Sequence, residues 1–120
     1  MRFDEARALE QLERMTRAQL DALPFGVVGL DAEAKTSRYN AFERTASGLS
    51  DDFVLGKSFF DEVAPCMNNY LVAERFKEEE FLDEQLSYVL TLRMRPTKVR
   101  LRLLRAPGVP TAYLLVERRI

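Results

Sequence analysis

The last third of the chain contains three runs in which apolar residues occupy every second position. The runs comprise Leu86, Tyr88, Leu90, Leu92 and Met94, then Val99, Leu101 and Leu103, and finally Ala112, Leu114 and Val116. A period of two places such side chains on one face of a β-strand, because successive side chains point to opposite faces. Turn-forming sequences separate the runs, at residues 95–97 and 107–110. The pattern therefore predicts three consecutive antiparallel strands.

Three basic residues alternate with the apolar residues of the middle run. Lys98, Arg100 and Arg102 are expected on the face of the sheet opposite the apolar set. We expect the N-terminal helix or a partner protein to lie on that face. The alternative is that the face is half solvated and that the aliphatic parts of the three side chains cover it.

The beginning of the chain predicts an amphipathic helix followed by a hairpin. Apolar residues recur there at roughly helical spacing among charges, at Leu9, Leu12, Met15, Leu20 and Leu23. Asp4 is a suitable N-cap, and Pro24 is expected to follow the end of the helix. Two short extended runs, Phe25 to Asp31 and Lys35 to Tyr39, then predict a pair of strands joined by a turn.

Short helices are predicted between this hairpin and the three C-terminal strands. Asn40 is a good N-cap for a helix that runs to Ser47, and Gly48 can end that helix. Residues 54–63 predict a second brief turn and helix before a proline.

A third helix is predicted near residues 70–80, with Asn68 or Asn69 as its N-cap. The order of elements is helix, two strands, several short helices and three strands, which indicates an α+β fold with one five-stranded antiparallel sheet. We predict a single domain over the whole chain. Residues 1–24 would form an N-terminal helical cap and residues 25–120 the core.

Composition excludes several classes of function. With 120 residues, the chain is long enough for one core and too short for two. Charged residues make up 31% of the chain but nearly cancel to a net charge of −1, which gives no general attraction to nucleic acid or membranes. No apolar run could span a bilayer, and the charged N-terminus does not resemble a secretory signal, so we expect a cytoplasmic protein.

The chain has no histidine and a single cysteine. The absence of histidine removes Ser-His and Cys-His catalytic pairs, histidine metal clusters and a proximal ligand for haem. One cysteine can form neither an internal disulfide nor a multi-cysteine metal site. We therefore expect neither an enzyme nor a metal site, and Cys66 must act alone.

Cys66 follows a mostly apolar segment and precedes two asparagines, in the sequence Phe59-Phe60-Asp61-Glu62-Val63-Ala64-Pro65-Cys66-Met67-Asn68-Asn69. This context predicts a position just ahead of a helix N-terminus. There, backbone N–H groups and the helix dipole would stabilise a thiolate. The alternative is that Cys66 is a small buried apolar residue without reactivity.

A second candidate site consists of Tyr39, Glu43 and Ser47, which are four positions apart. On a helix and the residue before it, this spacing places a phenol, a carboxyl and a hydroxyl along one face. Such groups can converge on one anion. The alternative is that Glu43 is a solvated helix residue with Arg44 beside it.

Five short segments agree in residues and in spacing with one known family. They are Leu20-Asp21-x-Leu23-x-Phe25-Gly26, Tyr39-Asn40-Ala41-x-Glu43, Gly56-Lys57-x-Phe59-Phe60, Val63-Ala64-Pro65-Cys66 and Met94-x-Pro96-Thr97-Lys98-Val99. Together they closely resemble the photoactive yellow proteins. The resemblance runs from about Met15 to the C-terminus and is strongest between Leu20 and Cys66.

The resemblance implies a PAS fold and a blue-light photoreceptor with 4-hydroxycinnamic (p-coumaric) acid bound as a thioester to Cys66. It implies that Tyr39 and Glu43 hydrogen-bond the phenolate oxygen, that Ser47 supports Tyr39, and that the Cys66 backbone amide holds the chromophore carbonyl. The other implied pocket positions are Val28, Leu49, Phe59, Phe60, Val63, Ala64, Pro65, Leu90 and Met94. Leu49 stands where the family commonly has an arginine, and Leu90 stands where it usually has an aromatic residue.

The physical chemistry of a buried anion agrees with these roles. Charge-assisted hydrogen bonds from a phenol and a protonated carboxyl offset the hydration that a buried phenolate loses. Burial favours the neutral form of a carboxyl, so Glu43 is expected to be protonated and to donate. Our hypothesis is that light isomerises the chromophore and that Glu43 then gives up its proton. The carboxylate left without a partner would partially unfold the N-terminal helix and so signal to an unknown downstream protein.

Other classes of function remain open from the sequence. A light-insensitive PAS interaction module would dimerise or bind a partner, with the face of Arg100 and Arg102 as a candidate surface. A cysteine acyl-transfer enzyme would need turnover without a histidine base. A flavin-binding PAS domain would need an Asn-Cys-Arg-Phe-Leu-Gln-like helix, which this sequence lacks.

Overall fold

A five-stranded antiparallel sheet with short helices on both of its faces forms the structure, a computed structural model that describes residues 1–91 and 95–118. The strands are β1 (Gly26–Leu30), β2 (Thr36–Tyr39), β3 (Leu82–Leu90), β4 (Thr97–Arg105) and β5 (Ala112–Arg118). The helices are α1 (Ala8–Arg14), α2 (Arg17–Asp21), α3 (Ala41–Ser47), α4 (Asp51–Val54) and α5 (Ala73–Glu78), with a π-helical turn at Phe59–Val63 and a 3₁₀ turn at Pro65–Met67. The predicted α+β class and five-stranded sheet are confirmed.

The strand order in the sheet is β2-β1-β5-β4-β3, and neighbouring strands are antiparallel. The first strand and the last strand are therefore neighbours in the centre. Val28 of β1 is opposite Tyr39 on one side and Leu114 on the other. This arrangement brings the hairpin that precedes α3 next to the C-terminal strand.

The strand β3 occupies a different range from the predicted one. The alternation predicted a strand from Leu86 to Met94, whereas β3 begins at Leu82 and ends at Leu90. Its pairing with β4 runs from Leu82 opposite Arg105 to Leu90 opposite Thr97. The polar residues 83–85 hid the beginning of this edge strand from the pattern, and Leu92 and Met94 lie outside the described residues.

The N-terminal segment forms two short helices where the sequence predicted one. Thr16 interrupts the apolar pattern and caps α2: its side chain accepts from the Gln19 amide, and the Gln19 side chain accepts from the Thr16 amide. This reciprocal capping favours a new helix start over continuation of the first. Asp4 is not the N-cap of α1, because Arg7 occupies that position with a left-handed backbone (φ 59°).

The two faces of the sheet carry separate apolar clusters. One cluster, which includes Phe3, Leu12, Leu20 and Tyr113, packs the N-terminal segment against the sheet. The other cluster contains the π-helical turn, α5 and the remaining buried apolar residues. Within residues 1–91 and 95–118, no helix has the length and apolar character required to cross a membrane.

The N-terminal segment covers the basic face of β4 at Arg102, as one of the two interpretations predicted for this face. Arg102 is only 3% exposed, and its Nη1 donates to the carbonyl oxygens of Phe3 (2.9 Å) and Glu5 (2.8 Å). The same guanidinium pairs with Asp83. The half-solvated alternative is therefore wrong for Arg102, whereas Lys98 is exposed.

Candidate functional site

The junction between β2 and α3 positions the three polar candidates. Asn40 caps α3, because its Oδ1 accepts from the Glu43 amide (3.2 Å), and Gly48 ends the helix with φ 73°. Both features were predicted. Tyr39, the last residue of β2, and Glu43 and Ser47, the two buried residues of α3, are all removed from solvent. The alternative in which Glu43 is solvated is therefore wrong.

Tyr39 and Ser47 are joined by a hydrogen bond of 2.8 Å between their hydroxyl oxygens. The backbone amide of Leu49 also donates to Ser47 Oγ, over 3.2 Å. If Ser47 uses its own proton to donate to Tyr39, the Tyr39 proton is left available to another acceptor. The arrangement fits the supporting role that the resemblance implies for Ser47.

Tyr39 keeps its proton over a wide pH range. Burial, reinforced by the nearby Glu43 carboxylate, raises the pKa of Tyr39 from 10.0 to about 12. The hydrogen bond with Ser47 and the charges of Arg118 and Arg44 oppose this shift. Tyr39 is therefore a neutral hydrogen-bond donor at physiological pH.

Glu43 has a partner that the sequence analysis did not predict. Arg118 donates from Nη1 to Oε1 (2.5 Å) and from Nη2 to Oε2 (3.0 Å), which is a two-pronged ion pair. This geometry suits a carboxylate, whereas the neutral Glu43 expected from the sequence belongs to the site with a phenolate ligand bound. The alternation in β5 places Arg118 on the same face as Leu114 and Val116; this pattern signals the face of Arg118 but not its partner.

Arg44, the sequence neighbour of Glu43, is directed elsewhere. Its Nη1 donates to the Tyr39 carbonyl oxygen (2.7 Å), and its guanidinium pairs with Asp21 and Asp51. Arg44 thus ties α3 to α2 and α4. This network fixes the orientation of the helix that carries Glu43.

Cys66 does not lie at a helix N-terminus. It is the middle residue of the 3₁₀ turn Pro65–Met67, and the next helix begins at Ala73. The prediction of a dipole-stabilised thiolate is therefore wrong in its geometry. Pro65 and the asparagines after Cys66 favour a tight turn here.

The backbone at Cys66 is held by a residue that sequence reasoning missed. Tyr88 of β3 donates from its hydroxyl to the Cys66 carbonyl oxygen over 2.6 Å. Asn69 Nδ2 donates to the Tyr88 hydroxyl over 2.7 Å. These bonds connect the turn to the edge strand, and Cys66 itself is partly exposed.

Most of the predicted pocket residues belong to one apolar cluster. Its buried members include Val28, Tyr39, Phe59, Phe60, Val63, Ala64 and Leu90. Leu49, Cys66 and Tyr88 are partly buried and pack against it. Pro65 is exposed, and Met94 lies outside the described residues. The structure thus brings the cysteine and the Tyr39 hydroxyl to the same core.

Two aromatic rings form an ordered wall of this cluster. Phe59 and Phe60 contact each other edge to face, with ring centroids 5.2 Å apart and planes at 81°. In the described part of the chain, no group of three or more acidic, cysteine or histidine side chains could hold a metal ion. The site combines apolar walls with one thiol, the Tyr39 and Ser47 hydroxyls, and the paired charges of Glu43 and Arg118.

Comparisons with known proteins agree on one fold and one group of relatives. The PAS fold family matches residues 14–120. The chain is 36% identical over 110 residues to the photoactive yellow protein of Halochromatium salexigens, covering 89% of this chain and 88% of that protein. It is 36% identical over 107 residues to the photoactive yellow protein of Rhodothalassium salexigens, covering 87% and 86%.

A solved structure is also closely similar. It is the crystal structure of the photoactive yellow protein domain from the sensor histidine kinase Ppr of Rhodospirillum centenum. The two structures superpose with a TM-score of 0.82 at 31% sequence identity, over 91% of this chain and 98% of that domain.

Proposed function

Because this chain belongs to the photoactive yellow protein family and has the PAS fold, we propose that it is a blue-light photoreceptor carrying 4-hydroxycinnamic acid as a thioester on Cys66. The observation that carries the proposal is the buried Tyr39–Ser47 pair beside Glu43, within the core against which Cys66 packs. A thiol and a phenol donor in one apolar core fit a ligand with an acyl end and a phenolic end.

The donor set at Tyr39 supports the phenolic end of the ligand. The Leu49 amide donates to Ser47 Oγ, and in the arrangement that we propose Ser47 donates to Tyr39, so that the Tyr39 proton is offered to a ligand oxygen. Since its pKa is about 12, Tyr39 remains a donor beside an anion. Glu43 adds a second donor only when it is protonated, and it must then leave Arg118.

Cys66 supports the acyl end. Its sulfur would form the new S–C bond with the acyl carbon of an activated hydroxycinnamoyl donor, and the leaving group of that donor would take the thiol proton. The bonds from Tyr88 and Asn69 fix the backbone of the turn and hence the direction of the sulfur. Phe59 and Phe60 would cover an aromatic ring and exclude water.

The bound group would supply absorption of visible light and isomerisation of a double bond. The protein would supply the change of charge. Glu43 is neutral while it donates a hydrogen bond to the ligand, and it becomes a carboxylate when it gives up that proton. Residues 1–24 form the cap that we propose to respond, and a signalling protein would recognise their release. The proposal includes a cytoplasmic location and no catalytic turnover.

Leu49 supports a pocket lid that differs from the one common in the family. It is partly buried and packs against the apolar cluster that contains Tyr39. We propose that this apolar contact replaces the shielding by arginine, so that solvent access at the phenolic end depends on packing rather than on a charge.

Reconstitution tests the proposed function. Purified protein without chromophore is mixed with an activated p-coumaric acid donor, such as its anhydride. We expect a yellow protein whose visible band bleaches under blue light and recovers in the dark, with the mass increased by one hydroxycinnamoyl group on Cys66.

The matched control is Cys66→Ser, which keeps the size of the side chain but replaces the sulfur. We expect no visible band from this variant, although its circular dichroism should equal that of the original protein. A colourless wild-type protein, or a band that persists in Cys66→Ser, would reject the photoreceptor. A dimer that forms without colour would instead favour a light-insensitive PAS interaction module.

A further inference from the structure

Arg118 is the charged residue of this site to which the proposed function gives no role. It follows Val116 by two positions in β5, so its side chain lies on the same face of the sheet as Val116 and Tyr39. Its guanidinium meets both carboxylate oxygens of Glu43 at hydrogen-bonding distance. A planar guanidinium matches a carboxylate in this geometry better than a lysine ammonium can.

Both partners are largely removed from solvent. The exposed fraction of the side chain is 5% for Glu43 and 16% for Arg118. At this depth a carboxylate is stable only when a cation or several donors replace its lost hydration. The ion pair is therefore a condition for the ionised state of Glu43.

The other charged groups near Glu43 do not replace Arg118. Arg44 is shared between Asp21 and Asp51 and donates to a backbone carbonyl oxygen. Tyr39 faces the same carboxylate as a neutral phenol whose proton is bonded within the Ser47 network or offered to a ligand. Among residues 1–91 and 95–118, Arg118 is the cation in direct contact with Glu43.

We infer that Arg118 is the counter-ion of Glu43 and decides where the proton of the site resides. The inference rests on the proposed function, since one of the two positions of the proton is the phenol oxygen of the ligand. With the proton on Glu43, the carboxyl is neutral and the phenol oxygen is ionised. With the proton on the phenol oxygen, Glu43 is a carboxylate and Arg118 binds it.

The total charge of the site is the same in both arrangements, because a single proton moves between the Glu43 carboxyl and the phenol oxygen of the ligand. Arg118 hydrogen-bonds the Glu43 carboxylate directly, so it stabilises the second arrangement more than the first and favours the transfer of the proton away from Glu43. The sequence hypothesis assumed that the carboxylate formed by light has no partner. The structure instead provides one on the last strand of the sheet, so the switch is a change of partner for Glu43.

Infrared spectroscopy of the protein without chromophore tests the counter-ion directly. The C=O stretch of a protonated Glu43 is identified by comparison with Glu43→Gln. We expect the wild-type protein to lack this band and Arg118→Gln to show it. Arg100→Gln is the matched control, because Arg100 lies on the opposite face of the sheet from Val99 and Leu101; it should lack the band.

Two results of this experiment would overturn the inference: a protonated Glu43 in the wild-type protein, or an ionised Glu43 in Arg118→Gln. If Arg118→Gln does not fold, the comparison of the wild-type protein with Glu43→Gln still decides whether Glu43 is ionised. Arg118→Lys then tests whether a positive charge alone at this position keeps Glu43 ionised. These measurements need no chromophore, so they stand even if the protein never becomes coloured.

Reconstituted protein provides the second test. After a flash, the protonated Glu43 band should return about tenfold faster in Arg118→Gln than in the wild-type protein, which corresponds to about 1.4 kcal/mol of lost carboxylate stabilisation. The rate should not change in Arg100→Gln. An unchanged rate in Arg118→Gln would contradict a role for Arg118 in proton transfer, whereas failure to form any visible band would reject the proposed function instead.

Discussion

The carboxylate of Glu43 lies directly against Gly26: a Cβ atom on this glycine would be 2.0 Å from Glu43 Oε1 and 2.9 Å from Cδ. Gly26 is the first residue of β1 and is opposite Val116 of β5. The missing side chain leaves room on the sheet for an acidic group of α3. This contact places Glu43 where Arg118 can reach it.

Gly26→Ala should therefore displace the Glu43 carboxylate and break its pair with Arg118. Overpacking of this kind typically costs about 1–3 kcal/mol of unfolding free energy. We expect urea unfolding to show a decrease of that size in the free energy of unfolding. We also expect weak or absent colour after reconstitution with the activated p-coumaric acid donor. The variant tests whether the carboxylate must lie on the sheet.

Gly29→Ala is the matched control in the same strand. A Cβ there would be 2.8 Å from the Cβ of Arg38 and 3.3 Å from Cγ2 of Thr111, away from Glu43. This variant should lose stability as well but should still become coloured. Equal loss of colour in both variants would show that strain in β1, rather than the position of Glu43, controls the pocket.

Asn40 connects four segments with one buried amide. Its Oδ1 accepts from the amides of Val27 (2.9 Å) and Glu43 (3.2 Å), and its Nδ2 donates to the carbonyl oxygens of Leu20 and Phe25 (both 2.9 Å). Asn40→Ala removes an N-cap and leaves buried backbone groups without partners. We expect the free energy of unfolding, measured with urea, to decrease by about 2–4 kcal/mol.

Ser50→Ala is the comparison for this prediction. Ser50 caps α4 through a bond from the Phe53 amide, but the site is exposed and the helix has four residues. We expect a loss of about 0.5–1 kcal/mol from this variant. If the two variants lost equal stability, the buried network of Asn40 would contribute no more than an ordinary cap.

Local signals in the sequence predicted the local parts of the site. Asn40 and Gly48 end α3 as predicted because capping depends on residues within one turn of the helix end. The burial of Glu43 and Ser47 on one side of α3 follows from the helical period in the same way, and Tyr39 ends the strand that precedes this helix. The strands of the sheet were predicted from alternation, with β3 displaced because its polar first half hides the period.

Contacts between distant segments could not be predicted from such signals. Arg118 and Glu43 are 75 positions apart, and Tyr88 and Cys66 are 22 positions apart. The first contact depends on the strand order, which places β5 beside β1, the strand that α3 contacts; the second depends on the position of β3 at the edge of the sheet. Periodicity gives the face on which a side chain lies but not its partner, so the pairing of Glu43 with Arg118 was missed.

The stability of the protein should fall at alkaline pH because of two buried tyrosines. Burial is the main cause that raises the pKa of Tyr39 and of Tyr113 from 10.0 to about 12, and a hydrogen bond to Glu13 adds to it for Tyr113. A phenol in the unfolded chain ionises near pH 10, whereas these two ionise near 12 in the folded protein. The two tyrosines therefore contribute fully to the free energy of unfolding below pH 10, and this contribution is lost as the pH rises from about 10 to about 12.

Urea unfolding at several pH values between 10 and 12 measures this loss. Each tyrosine should add up to about 1.4 kcal/mol per pH unit to the slope of the unfolding free energy. Tyr113→Phe should reduce the slope by about half, and Glu13→Gln should reduce it less because the phenol remains buried. A full slope in Tyr113→Phe would show that other groups govern alkaline unfolding.

Arg102 should hold the first residues of the chain on the sheet. It donates to two carbonyl oxygens of that segment, those of Phe3 and Glu5, and its pair with Asp83 orients the guanidinium. Arg102→Gln leaves these two carbonyl oxygens without their donor. This should lower the free energy of unfolding by about 2–3 kcal/mol. We expect faster hydrogen exchange and earlier proteolytic cleavage in residues 1–7 than in the original protein.

Lys98→Gln is the matched control, because Lys98 is exposed on the same face of β4 and the change removes the same charge. Hydrogen exchange in residues 1–7 should not change in this variant. If it increased equally in both variants, the overall charge of the face would hold the segment rather than the bonds of Arg102. If neither variant altered it, the apolar cluster of Phe3 and Phe25, whose rings meet edge to face at 5.7 Å, would be sufficient to keep the N-terminal segment in place.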